Sequence, residues 1–107
     1  MSIVRYVFAA LKPGVDKEAY ERFEREVDYV VASKLKSIIS YRTHRLTGVT
    51  PQPGGGPWDY IERIEITDRA AYEAEVATIG KELIDELYGK YLEKSKTKSI
   101  WSVLVDP

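Results

Sequence analysis

The 107-residue chain has no cysteine and a single histidine. The first absence excludes disulfides, thiolate-ligated zinc, iron–sulfur clusters and a thiol nucleophile, and the second argues against a histidine-built metal centre. No run approaches the roughly 18 consecutive apolar residues of a membrane span. The opening residues Met1-Ser2-Ile3-Val4-Arg5 lack the basic region of a signal peptide and already read as a strand, so a cytoplasmic protein is expected. Neither sign of charge dominates. Sixteen Lys+Arg stand against 17 Asp+Glu, giving a net charge of −1 and no electrostatic footprint for nucleic acid or an anionic membrane. The aromatic–glycine signature of RNA-binding α+β domains is also missing. The excess is in rings: eight Tyr, two Trp and two Phe exceed what so small a core needs. The length supports a single domain, 1–107.

Residues 2–11, SIVRYVFAAL, are β-branched and aromatic and stop at Pro13-Gly14, which predicts a strand. From Asp16, an N-cap residue, apolar side chains recur at Tyr20, Phe23, Val27 and Val30 with helical spacing. The opposite face, with Glu18–Arg22 and Glu21–Arg25 at i,i+4, is expected to be solvated. Strands are predicted at 36–46 and 58–67. Asp68 then caps a second helix, which Gly80 bends or breaks before a stripe of Ile84, Leu87, Tyr88 and Tyr91. Residues 98–105 form the last strand. The order β-α-β-β-α-β predicts an α+β, ferredoxin-like fold: a four-stranded antiparallel sheet with both helices on one face. The Gly/Pro-rich stretch 48–57 is expected to join the middle strands as a mobile connection. Its Gly54-Gly55-Gly56 run is no phosphate loop, because no Gly-Lys-Ser/Thr follows.

A sheet covered by helices on one side should alternate apolar and polar residues. The first strand does not: Ile3, Val7, Ala9 and Leu11 fall on one face and Val4, Tyr6, Phe8 and Ala10 on the other. The last strand repeats this, with Ile100 and Leu104 opposite Trp101, Val103 and Val105. The second face needs a cover, and a homodimer packed sheet to sheet supplies it. The alternative is a monomer with an apolar face.

Charges inside apolar strands mark the candidate chemistry. Arg5 shares the face of Ile3 and Val7, and Glu62 that of Tyr60 and Ile64. In strand order 4-1-3-2 the two strands are neighbours, so Arg5 and Glu62 are expected to pair beneath the helices. Such a pair either fixes register or works as a cationic donor with a carboxylate that orients it or moves protons. His44, beside Arg42 on the second strand, is a surface histidine or, if it points inward, an acid–base residue. Asp59, Glu62 and Glu65 have no metal-ligand spacing, so no metal or other cofactor is expected. Most of the core-facing rings are expected simply to fill the core, but their hydroxyls need partners, which points to an amphipathic cavity with Val7, Phe23, Val27, Ile64, Tyr72, Tyr88 and Trp101 as its expected lining.

A strand ending in Lys12-Pro13-Gly14, a charged helix, and DYIERIEI followed by Asp68 and AYE resemble the dimeric α+β barrel superfamily. Within it, SIVRYVFAAL and DYIERIEI are most similar to the RedY-like (HapK-like) proteins associated with biosynthesis of prodiginines, tripyrrole pigments. The resemblance implies a homodimer closing a barrel, with a ligand pocket in each subunit between sheet and helices. Relatives include cofactorless oxygenases, polyketide cyclases and stress-responsive proteins. Against the cyclases, Arg5 falls at a pocket histidine, Glu62 at an apolar pocket position, and Phe23, Ile64 and Tyr72 at pocket-lining positions. The cyclase's catalytic histidine has no counterpart, since residues 69–94 contain no His. The expected function is cofactor-independent cyclisation, dehydration or condensation of an aromatic or pyrrolic intermediate. The alternatives are a non-catalytic carrier for such an intermediate, in partnership with other enzymes of the pathway, and a cofactorless monooxygenase.

Overall fold

The computed structural model describes residues 2–48 and 56–106. Its elements are β1 (Ile3–Ala9), α1 (Lys17–Phe23), a π-helical turn (Glu24–Asp28), α2 (Tyr29–Ala32), β2 (Ile38–Arg45), β3 (Tyr60–Ile66), α3 (Arg69–Thr78), α4 (Lys81–Glu86), a second π-helical turn (Leu87–Tyr91) and β4 (Lys98–Val103). The four strands run in the order β2-β3-β1-β4, each antiparallel to its neighbours, which is the ferredoxin-like α+β arrangement expected. The connection expected at 48–57 falls, from 49 to 55, outside the described residues.

Local chemistry sets the boundaries. After β1, Pro13 supplies the fixed φ and Gly14, at φ 82°, the left-handed position of a type II turn closed by Val15 N–H donating to the Lys12 carbonyl. Asp16 and Asp68 cap the two helical arms, accepting from the backbone N–H groups of Ala19 and Ala71. Gly80 separates α3 from α4, as its position in the stripe predicts. Every strand is shorter than its sequence pattern. Leu11, for example, has left β1 and pairs with Leu92 at the end of the second arm.

Register places side chains in rows across the sheet. On the helix-covered face one row reads Trp101, Arg5, Ile64, Tyr41, and the next reads Ser99, Val7, Glu62, Thr43. Helical arms cover this face at both ends. Val7, Tyr41, Ile64 and Ile66 pack with Ala32 and Tyr72, while Ala9 and Tyr60 pack with Tyr20, Phe23, Leu87 and Leu92. Burying each large side chain contributes roughly 1.5–3 kcal/mol. The opposite face carries rows Ile100, Tyr6, Arg63, Arg42 and Lys98, Phe8, Ile61, His44. Part of it is covered within the chain: Phe8 packs on Trp58 at 4.9 Å between ring centroids, and Trp58 Nε1 donates to the Lys96 carbonyl. Ile100 remains 49% exposed. Among the described residues no helix is long and apolar enough to cross a membrane.

Candidate functional site

Between the inner sheet face and the helical arms lies a cavity of about 160 Å³. Its sheet wall includes Arg5, Val7, Tyr41, Glu62 and Ile64. Its helical wall includes Asp28 and Ala32 from the first arm, with Tyr72, Leu83 and Tyr88 from the second. An apolar cavity of about 150 Å³ in a protein interior holds one benzene. The space here therefore matches a single five- or six-membered ring, with polar groups at fixed points of its wall.

Arg5 supplies the cation. Its Nη1 donates to the Tyr72 hydroxyl at 2.9 Å, and its guanidinium carbon lies 5.6 Å from the centroid of the Trp101 ring. Its Nε is buried without a hydrogen-bond partner. The expected Arg5–Glu62 ion pair is absent among the described residues. Register is the reason: Ile64 stands across from Arg5, and Val7 across from Glu62, so the two charges occupy successive rows.

The other pole is acidic. Glu24, Asp28 and Glu62 are all buried, and each offers one carboxylate oxygen within 4.8 Å of the others. No lysine or arginine among the described residues forms an ion pair with any of the three. Hydroxyls surround them instead. Tyr41 donates to Asp28 Oδ2 at 2.7 Å, Thr43 to Glu24 Oε1 at 2.7 Å, and Tyr20 lies 3.2 Å from Glu24 Oε1 and 3.3 Å from Glu62 Oε1. Burial, then the negative charge of Asp28, push the Glu62 carboxyl up to about 7. Burial also drives Glu24 upward, to about 11, reinforced by its acidic neighbours. Tyr20 and Tyr41 are raised by the same burial and by the carboxylates around them, so both remain hydroxyl donors. An oxygen triad of this kind is the donor type that hard divalent cations take. Hydroxyls from Tyr20, Tyr41 and Thr43 reach all three members, and burial together with the mutual repulsion of the acids makes the triad a proton-bearing cluster.

The structure sorts the sequence candidates. Arg5, Val7, Glu62, Ile64, Tyr72 and Tyr88 line the cavity. Trp101 stands behind Tyr72, 6.0 Å away and edge-on, and supports the wall without lining it. Phe23 and Val27 belong to the other half of the core, where Phe23 packs on Tyr91 at 4.7 Å. His44 is a correction: strand alternation puts Tyr41 and Thr43 inward, so His44 faces outward with Arg42 and is exposed. Asp59 accepts a hydrogen bond from Leu11 N–H at 2.8 Å and secures the end of β1. Sequence reasoning missed Glu24, Asp28 and Tyr41. The available signal was Tyr20, Glu24 and Asp28 at i, i+4, i+8, which places two acids on the buried stripe.

Residues 3–104 match the family model of the REDY-like protein HapK. Among solved structures, HapK from Hahella chejuensis superposes with a TM-score of 0.75 at 23% identity, covering 100% of this chain and 95% of that one. A DABB family protein with a ferredoxin-like fold from Mesorhizobium loti gives 0.72 at 17% identity, covering 98% of each chain. A dimeric protein with a ferredoxin-like fold from Bacteroides fragilis gives 0.70 at 11%, covering 96% of each. No curated protein sequence matches. With a family model that spans nearly its whole length, the chain belongs to the REDY-like HapK family.

Proposed function

We propose that this protein binds one ring of an aromatic or pyrrolic intermediate of prodiginine-type pigment biosynthesis and assists its cyclisation, dehydration or condensation without a cofactor. The observation that carries the reading is the ring-sized cavity with the Arg5 cation on one row of its wall and Glu62 on the next. A carbonyl or enolate oxygen in the cavity meets the Arg5 guanidinium of its wall. Glu62, poised near neutrality by burial, takes or returns the proton that such a step moves. Tyr72 holds Arg5 in place, and the apolar walls of Val7 and Ile64 receive the ring. The exposed apolar part of the outer sheet face supports assembly as a homodimer, and the dimeric Bacteroides fragilis neighbour supports it further.

Two variants test the roles. Arg5→Ala and Glu62→Gln are each expected to lower kcat/KM for the pathway intermediate by about 100-fold or more while the protein stays folded. Full activity in both variants overturns the assignment. A carrier that binds pyrrole-2-carboxaldehyde in native mass spectrometry but never alters the intermediate is the second reading. The small cavity favours it, because only part of a multi-ring ligand enters.

A further inference from the structure

The carboxyl cluster separates two hollows. On its inner side lies the ring-sized cavity, to which Asp28, Glu62 and Tyr41 contribute. On its outer side lies a polar cleft at the surface, lined by Glu24, Thr43, Tyr60 and the Arg45–Glu21 ion pair among others. Glu24 is therefore the member that faces away from the cavity, yet it is only 3% exposed. Its Oε1 lies within reach of three hydroxyls, from Tyr20, Tyr41 and Thr43. Its Oε2 is buried and has no hydrogen-bond partner.

The groups facing the cluster come from every packed element. Arg5 on β1 is turned to Tyr72 of α3, Tyr20 belongs to α1, Tyr41 and Thr43 to β2, and Tyr88 to the second arm. Three hydroxyl protons cannot balance three carboxylates held within 4.8 Å of one another, and among the described residues no basic side chain forms an ion pair with them, although Arg25 and Arg45 line the outer cleft beside Glu24. Like charges this close, out of water, are relieved by keeping protons. The π-helical turn Glu24–Asp28 brings two of the acids to the inner side of the first arm. Such turns within α-helices are frequent at functional sites.

We propose that Glu24 is a neutral, proton-bearing positioning residue through which Glu62 exchanges protons with solvent across the outer cleft, independently of the cavity mouth. The transfer balances over three residues. Glu62, having gained a proton from a ligand in the cavity, passes it to the Tyr20 oxygen. Tyr20 gives its own proton to Glu24 Oε1, and a swing of the Glu24 side chain carries Oε2, buried at rest, to the water of the cleft, where its proton leaves. Rotation of the Glu24 carboxyl, and of the Tyr20 hydroxyl back from Glu62 toward Glu24, resets the chain. The net change is one proton moved from Glu62 to solvent, with Tyr20 and Glu24 restored. A ligand that fills the cavity then leaves this route open.

The relay rests on the proposed ligand cavity, whereas the proton count is read on ligand-free protein, so the two fail separately. Side-chain carboxyl carbons of 13C-labelled Glu and Asp are followed by NMR from pH 4 to 10. Glu24 is expected to stay protonated throughout neutrality, and the Glu62 midpoint to fall by about one pH unit or more in Asp28→Asn. Glu24→Gln keeps the shape and neutrality of the group, so the Glu62 midpoint stays nearly in place. Its resonance, however, should pass from fast exchange to broadening or splitting at the midpoint, and Tyr20→Phe should do the same. A Glu24 carboxyl that ionises below pH 6 overturns the proposal. So does unchanged fast exchange in both variants, or a joint response of all three carboxyls to millimolar Mg²⁺ or Mn²⁺ alone.

Discussion

Arg5 Nη1 donates to the Tyr72 hydroxyl at 2.9 Å, so the one cation that the described residues place in the cavity wall is held by a phenol and not by a carboxylate. A neutral holder leaves the full positive charge available to a ligand. Tyr72→Phe keeps the ring against Trp101 but removes the acceptor, leaving Arg5 with a second unpartnered N–H. The expected loss is about 1–3 kcal/mol in urea denaturation. No loss of stability would mean that Arg5 finds another acceptor.

The acidic cluster makes stability depend on pH with a defined sign. The folded Glu62 carboxyl sits at about 7, above its ordinary value of 4.5, because burial disfavours its charged form. The folded state therefore binds more protons than the unfolded chain across this window. The contribution is fully present below about pH 4.5 and is lost as pH rises through about 7, on the order of 3 kcal/mol in all. Glu62→Gln should flatten the slope over that window by about 1 kcal/mol per pH unit in denaturation curves. Glu21 works in the opposite direction. Hydrogen bonds from Arg45 and Tyr60 lower it to about 2, so its contribution holds above pH 4.5 and is lost on acidification toward 2.

Gly80 lies in the cavity wall at the joint between α3 and α4. A Cβ there would stand 3.2 Å from both the Cα and the carbonyl oxygen of Val76, and backbone atoms cannot step aside cheaply. Gly80→Ala should cost about 1–3 kcal/mol in thermal or chemical unfolding, and Gly80→Val more. A neutral or stabilising Gly80→Ala would show that the two helical segments slide apart easily.

The outer sheet face gives a separate test. Ile100, beside Tyr6 in register, is half exposed. If two sheets pack there, Ile100→Lys should convert a dimer to monomers in analytical ultracentrifugation and leave the circular dichroism spectrum unchanged. A dimer that survives the substitution places the interface elsewhere.

Strand chemistry, turn residues and caps were readable because each acts over a few residues: the Pro13-Gly14 turn, the Asp16 and Asp68 caps and the Gly80 break stand where the pattern puts them. Register was less accessible. The adjacency of Arg5 and Glu62 follows from strand order, but their offset by one row depends on pairing that no local signal encodes. His44 illustrates the same limit, since inward and outward differ by one residue of phase. The acids stand at helical spacing below Tyr20, but the neighbouring apolar stripe masked them. A straight helix through Phe23 and Val27 suggests an apolar stripe toward the ligand. The π-helical turn widens the helix at that point, Phe23 and Val27 join the other half of the core, and Asp28 comes to the cavity wall.

The Arg5–Tyr72 contact has an optical consequence. A permanent cation stands on one row of the cavity wall and hydroxyl-screened acids on the next, so a strong local field runs along the sheet between them. A conjugated ring lying in that field would shift its absorption band, and by a different amount in Arg5→Gln. For a ligand that is itself a pigment fragment, its colour would then act as a built-in voltmeter of the pocket.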